Sequence, residues 1–547
     1  MNRSVKIALA VACLVAVSFV LAVAPVDAAP QPDHSGVPGV VVAHSPQASG
    51  IYIGSPGIVI LPEGTYLAKH DEFGPGSVER RSAVTRVYRS ADRGRSWEHV
   101  AEVDGLFWAN IFHHRGAVYM MGTDANHGRI VIRRSDDGGR AWTGADDARS
   151  GRLTESGPYH TAPMPMLIHN GRLWRAFEDA GGGTQWGARY RAMMMSAPVD
   201  ADLLEAESWT FSNAVPRDSA WLDGQFLGWL EGNAVLDPAG RVVNILRVNV
   251  EGPSRMAGKA ALVRISDDSQ TATFDAETGF IDLPGAAKKF TIRYDPQSKA
   301  YWTLTNPVMK HTDRNANLVR NTLALMRSED LIEWEMRCIL LHHPDVVHHG
   351  FQYPDWVFDG DDMVAAIRTA YDDGIGGARN AHDANYLTFH RFENFRKLTL
   401  ADSAVDPESL RPAGPGKVEV GAATVEGRMF AVRMLRNGGE AFGNRTYVWE
   451  QVPERLRGWR YTQTLGGVAA GLHATAARDT ILYMATADHL EGIDTSGWTP
   501  EPDLAFRYTD HARTPLQVFR RAVRAGERVA IPEGNWTGGL LLVPPEE

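Results

Sequence analysis

One pattern recurs along the chain: an apolar run, a short turn of polar residues or glycine, and a second apolar run. The first copy spans Gly57 to Ala68, with Pro62-Glu63-Gly64 between its two arms. Further copies centre on His113-His114-Arg115-Gly116, His169-Asn170-Gly171, Asp237-Pro238-Ala239-Gly240, Asp295-Pro296-Gln297-Ser298 and Asp359-Gly360-Asp361. Asn-Gly and Asp-Gly supply the positive φ angles that tight hairpins need, so each copy predicts a β-hairpin. The spacing runs from 52 residues (Gly64 to Gly116) to 69 (Gly171 to Gly240). A period of that size fits one four-stranded sheet per repeat. Convincing amphipathic helices are few, because Pro and Gly punctuate most windows. The reading is an all-β chain whose residues 40–400 build a six-bladed β-propeller.

Residues 401–416 carry Pro, Asp and Gly and read as a linker. Beyond them, 417–547 holds alternating runs such as Met429–Met434 and Thr480–Met484, which predict a β-rich C-terminal accessory domain; a seventh blade starting near Gly427 fits the same runs. Trp449, Trp459, Trp498 and Trp536 either fill its core, the commoner fate of tryptophan in small β domains, or line a sugar-binding face.

At the other end, Arg3 and Lys6 precede an apolar run from Ile7 to Ala24, followed by Ala28 and Ala29. That order is a signal peptide over 1–28, which places the mature chain outside the cytoplasm, secreted or periplasmic. No later apolar stretch has spanning length, so no stable membrane insertion is expected after cleavage. Of the two cysteines, Cys13 and Cys338, only the second survives cleavage, and packing rather than disulfides must stabilise the fold. The net charge of -10 argues against a nucleic-acid partner.

The segment Ser90-Ala-Asp-Arg-Gly-Arg-Ser-Trp97 fits the pattern Ser-x-Asp-x-Gly-x-Ser/Thr-Trp. Ser135-Asp-Asp-Gly-Gly-Arg-Ala-Trp142 repeats it with Ala141 for the hydroxyl residue, and Ser328-Glu-Asp-Leu-Ile-Glu-Trp334 is a worn third copy. Asp closes the turn by accepting backbone N–H bonds, Gly permits the backbone angles and Trp packs between outer strands. These segments resemble the Asp-boxes of the sialidase superfamily, or BNR-repeat proteins, and the resemblance extends over roughly Ile51 to Arg396. It implies a propeller with its active site at the hub.

The resemblance also implies a set of site residues: a Tyr nucleophile activated by a Glu, an Asp acid/base, and three arginines clamping a substrate carboxylate. Glu231 and Arg247 fall where the family places its Glu and second arginine, and Arg320 precedes the worn box as the third does. Gly54 stands in the place of the first arginine, and glycine offers no bidentate contact to an anion. Arg368, in a polar glycine-bearing segment, is a candidate replacement. Tyr353 is the nearest match to the nucleophile, with Phe351 aligning equally well, and Asp355 of the same stretch joins the substrate-binding set. Asp71, at the end of the first return strand, is the candidate acid/base, with His70 beside it as a substrate-binding partner. The His pairs at 113–114, 342–343 and 348–349 show no metal-ligand spacing, and neither metal nor cofactor is expected.

Three functions fit these residues. The first is a sialidase-like exo-glycosidase that hydrolyses a terminal acidic sugar. The second is a propeller lyase, in which arginine neutralises a uronate carboxylate and a His/Tyr pair moves the C5 proton. The third is a carbohydrate-binding propeller without chemistry. All three take an acidic glycan as partner.

Overall fold

The computed structural model describes residues 31–545 apart from 223, 251–257, 310–314, 407–415, 428–429, 444–446, 468 and 511. The signal-peptide segment, most of the linker and Met429 lie outside the described residues. The chain is all-β: helical elements among the described residues are single 3₁₀ turns, and no helix is long and apolar enough to cross a membrane.

Residues 40–392 form six antiparallel sheets that follow one another in chain order. Their first strands are Tyr52–Ile60, Phe107–His114, Leu167–His169, Phe226–Leu236, Ile292–Asp295 and Gly350–Asp359. Each repeating turn of the sequence joins a first strand to its antiparallel second strand. In the fifth sheet the left-handed residue of that turn is Lys299 (φ 50°) rather than Ser298. The sixth sheet takes its outermost strand, Val40–His44, from the start of the described chain, paired with Tyr386–Phe392.

These strands read as near-continuous apolar runs because both faces are buried, each against a different neighbour. Along Arg172–Asp179 the alternation is explicit: Leu173 and Phe177 pack against the second sheet, while Trp174 and Ala176 pack against the fourth. Such a layer lies between every pair of successive sheets, and one of them, holding Val42, Val364, Ile53 and Tyr66, joins the sixth sheet to the first.

Hydrogen bonds connect the sheets in the same cyclic order. Trp108 N donates to Asp71 Oδ2 (2.6 Å), Arg175 Nε to Asn110 Oδ1 (3.4 Å), Gly232 N to Glu178 Oε1 (3.1 Å) and Ile292 N to Asn233 Oδ1 (2.9 Å). Lys289 Nζ donates to the Pro354 carbonyl (2.7 Å), and Ile58 N to Asp355 Oδ2 (3.0 Å), which closes the circuit.

The Ser-x-Asp segments follow the third strands. Asp92 Oδ1 accepts from Arg95 N and Ser96 N (both 3.0 Å), Asp137 Oδ1 from Arg140 N and Ala141 N (3.0 and 2.9 Å), and Asp330 Oδ1 from Ile332 N and Glu333 N (both 2.8 Å). A further turn of this kind, Ser266 to Thr271, closes on Asp268 without a tryptophan.

Residues 416–543 form a four-stranded and a seven-stranded antiparallel sheet. Val420, Val425, Leu482, Met484, Phe519 and Leu541 share one core between them. Near Gly427, the strand Ala423–Gly427 pairs with Gly416–Val420 and His473–Ala476. Trp449, Trp459 and Trp498 are buried, as core residues.

Candidate active site

The first strands do not run straight. In four of them the pairing register slips and the residue at the slip takes positive φ: Ser55 (44°), Trp108 (53°), Glu231 (61°) and Tyr353 (53°). A bulge of this kind re-aims a side chain, and left-handed backbone at a non-glycine residue costs on the order of 1–3 kcal/mol, which the surrounding sheet must hold.

Two of the four re-aimed side chains meet. Tyr353 Oη donates to Glu231 Oε1 at 2.6 Å. Arg247, on the strand paired with Glu231's own, donates from Nη1 to Glu231 Oε2 at 2.9 Å and to Tyr353 Oη at 3.3 Å. The Arg320 and Arg368 guanidinium carbons lie 5.5 and 5.2 Å from the Tyr353 ring centre. Arg320 is fixed by the Asn317 carbonyl (2.9 Å) and by Gln352 Oε1; Arg368 by the His382 carbonyl and the Phe73 ring. Glu231, Arg247, Arg320, Tyr353 and Arg368 therefore come together. Phe351, the other alignment for the tyrosine, lies in the core beside Trp302 and Trp356.

The charges order themselves by what surrounds them. Burial works against the Glu231 carboxylate, but Arg247, His160 and the hydrogen bonds from Tyr353 and Arg247 outweigh it and hold its pKa below the ordinary value. Burial and the neighbouring Glu231 charge raise the Tyr353 phenol, against the pull of three arginines. Burial lowers Arg320 to about 9 and Arg368 to about 10, so both remain cations at neutral pH. Among the described residues, the Nε donors of Arg247 and Arg368 are buried without a hydrogen-bond partner.

Asp71, His70 and Asp355, the other expected site residues, stand among different partners. Asp71 is fully buried and both its oxygens are engaged, Oδ1 by Lys69 Nζ (2.9 Å) and Thr85 Oγ1 (2.8 Å), Oδ2 by Trp108 N. A carboxyl so enclosed ties the first sheet to the second and is not free to reach a glycosidic oxygen. His70, its neighbour on an alternating strand, faces the other way and stacks on Tyr88, with Nε2 3.2 Å from that hydroxyl. Asp355 is buried between the sixth and first sheets, accepting from Ile58 N with Arg293 3.5 Å away. None of the three adjoins the Tyr353 hydroxyl.

A Cβ at Gly54 would meet Phe73 at 3.0 Å, so a side chain there would need that ring to shift, and the ring lies 4.4 Å from the Arg368 guanidinium carbon.

The third sheet, together with the loop before the last strand of the second, brings further polar and aromatic residues together. His160 Nδ1 lies 2.8 Å from Glu178 Oε2, and His127 Nε2 lies 3.0 Å from Tyr190 Oη. The His160 ring packs between Trp108 (4.5 Å) and Tyr190 (4.4 Å). Trp186, just over half exposed, lies 5.8 Å from Arg247. The only sequence signal for Glu178 was a charged residue ending an apolar return strand, and for Trp186 a tryptophan in a glycine-rich turn. A separate cleft, lined by Leu236, Asp237, Tyr294 and Phe358, opens toward the hairpin-turn end of the strands and includes none of these residues.

No protein-family model matches the sequence, and no curated protein matches it. Among solved structures, the chain is similar to the Penicillium chrysogenum alpha-L-arabinanase complexed with arabinobiose (14% identity, TM-score 0.43, covering 66% of this chain and 98% of that one). It is also similar to the alpha-L-arabinofuranosidase of Fusarium graminearum (11%, 0.43, 66% and 98%) and to a Hadza microbial sialidase (14%, 0.42, 65% and 69%).

Proposed function

We propose that this chain is an exported, sialidase-like glycoside hydrolase that removes a terminal acidic sugar from glycans, using Tyr353 as nucleophile. On this reading the six sheets of residues 40–400 are the blades of a propeller, 417–547 is an accessory domain, and 1–28 is the export signal. The observation that carries the reading is the 2.6 Å bond from Tyr353 Oη to Glu231 at the centre of three arginines. A phenol buried against a carboxylate can pass its proton to that base as it attacks an anomeric carbon. A neutral nucleophile approaches an anionic sugar without the repulsion a carboxylate would feel. Arg320 and Arg368 supply the charge that holds a substrate carboxylate or sulfate, Arg368 together with Phe73 standing in for the family's first arginine.

A second reading, a uronate lyase, is favoured by one observation: the 3.0 Å His127–Tyr190 contact, whose tyrosine is near enough to Glu231 and Tyr353 to feel their charge, offers a base and an acid for C5 proton transfer. Incubation of the purified protein with sialosides and uronate polysaccharides, following released sugar and the ultraviolet absorbance of an unsaturated uronate, separates the two. Released sugar without that absorbance, abolished in Tyr353→Phe, supports the hydrolase. Rising absorbance transfers the site to the lyase, and silence in both channels leaves binding without chemistry.

A further inference from the structure

A tyrosine nucleophile needs a partner that protonates the departing glycosidic oxygen and later activates water, and Asp71 is walled off from that task. We infer that His160, held by Glu178, is the acid/base of this site, an inference that rests on the hydrolase reading above.

Glu178, next to last on the strand Arg172–Asp179, is fully buried, with one oxygen accepting from Gly232 N (3.1 Å) and the other 2.8 Å from His160 Nδ1. Gly232 directly follows Glu231, so the carboxylate that orients His160 is bolted to the bulge that presents the base. His160 is close enough to Glu231 for its charge to favour that carboxylate. The Nδ1 contact directs that nitrogen at Glu178 and leaves Nε2 as the exchanging atom; among the described residues Nε2 takes no partner. Trp108, the re-aimed residue of the second sheet, and Tyr190 hold the ring on either side.

The step balances as follows. Tyr353 Oη forms a bond to the anomeric carbon and yields its proton to Glu231. The glycosidic C–O bond breaks, and the leaving oxygen takes the proton from His160 Nε2. Neutral His160 then removes a proton from water, whose oxygen bonds to the anomeric carbon as the bond to Tyr353 breaks. The phenolate recovers its proton from Glu231. Glu178 keeps its contact to Nδ1 throughout and orients the ring.

The test compares leaving groups. Dinitrophenyl and methyl glycosides of N-acetylneuraminic and glucuronic acid are assayed with the wild type, His160→Asn and Glu178→Gln, with His382→Asn, a histidine likewise bonded to a carboxylate (Asp383, 2.8 Å), as the control. An acid/base contributes about 10²–10⁴-fold. His160→Asn should therefore lose that factor on the methyl glycoside and far less in glycosyl transfer to enzyme from the dinitrophenyl one, which leaves without protonation. Glu178→Gln should follow the same pattern more weakly. Azide should rescue turnover of the dinitrophenyl substrate by His160→Asn. Equal losses on both substrates, or a leaving-group-dependent loss in His382→Asn instead, would overturn the assignment while leaving Tyr353 in place. No loss in Tyr353→Phe, or no turnover of any acidic glycoside by the wild type, would remove the hydrolase reading and this inference together. If His160→Asn proves unfolded by circular dichroism, Glu178→Gln decides.

Discussion

Asp71, on the second strand of the first sheet, and Glu231, on the first strand of the fourth, are both buried carboxylates in contact with a cation, and on the proposed reading they do opposite work. Asp71 is enclosed by Lys69, Thr85 and the Trp108 amide, all groups that hold sheets together. Burial pushes its carboxyl up and the Lys69 ammonium down, while their contact opposes both. Glu231 is bonded instead to a side chain with its own chemistry, Tyr353, and to an arginine whose Nε remains unpaired. Burial and a nearby cation therefore do not distinguish a structural carboxylate from a functional one; what distinguishes them is whether the partners are reactive or merely load the fold.

The comparison can be broken most decisively by amide substitutions on each side. Glu231→Gln should lower kcat per folded molecule by about 10²–10⁴-fold, the range for a lost general base, and, because it also breaks the buried Glu231–Arg247 pair, it should lower Tm as well. Asp71→Asn should lower Tm without that loss of turnover. Removing one member of a buried ion pair costs about 3–5 kcal/mol, so thermal and urea unfolding should register a large loss, while kcat per folded molecule stays near wild type. If Asp71→Asn kills turnover in a fully folded protein, the division between the two carboxylates is wrong.

A smaller effect sharpens the same distinction on the pH axis. Burial holds His70 neutral down to about 3 and His390 down to about 4, against 6.5 unperturbed. Between pH 6.5 and those values the unfolded chain binds protons that the folded chain refuses, so stability falls as pH falls, by about 1.4 kcal/mol per pH unit for each histidine. Urea unfolding at pH 7 and pH 5 should show this slope, and His390→Gln should flatten part of it. The smallest effect is expected from Asp92→Ala, which removes the acceptor of an exposed turn: a slight drop in Tm, and unchanged kcat/KM.

The repeat was legible because strands buried on both faces leave apolar runs, and their hairpins need turn residues that stand out locally. Glu231, Arg247, Arg320 and Tyr353 were legible through motif position. The surroundings of Asp71, His70 and Asp355 were not legible, for one reason: adjacent residues on a strand point to opposite faces, and a bulge shifts that phase, so a polar residue near a strand end is not assigned an environment by its position in sequence. Ser55, Trp108, Glu231 and Tyr353 occupy bulges that leave no mark in the hydrophobic pattern. His160 and Glu178 lie 18 residues apart, on strands that meet only when the third sheet forms, and no local spacing announces such a pair.

On the proposed reading Tyr353 bonds to the sugar. Fluorinated acidic glycosyl fluorides form such a covalent intermediate quickly and release it slowly, so the protein reacted with them can be digested and the modified peptide mapped by mass spectrometry. One sugar adduct is expected, on Tyr353, absent in Tyr353→Phe and slowed in Glu231→Gln. An adduct on Glu231 or another carboxylate, or rapid turnover by Tyr353→Phe, would contradict it.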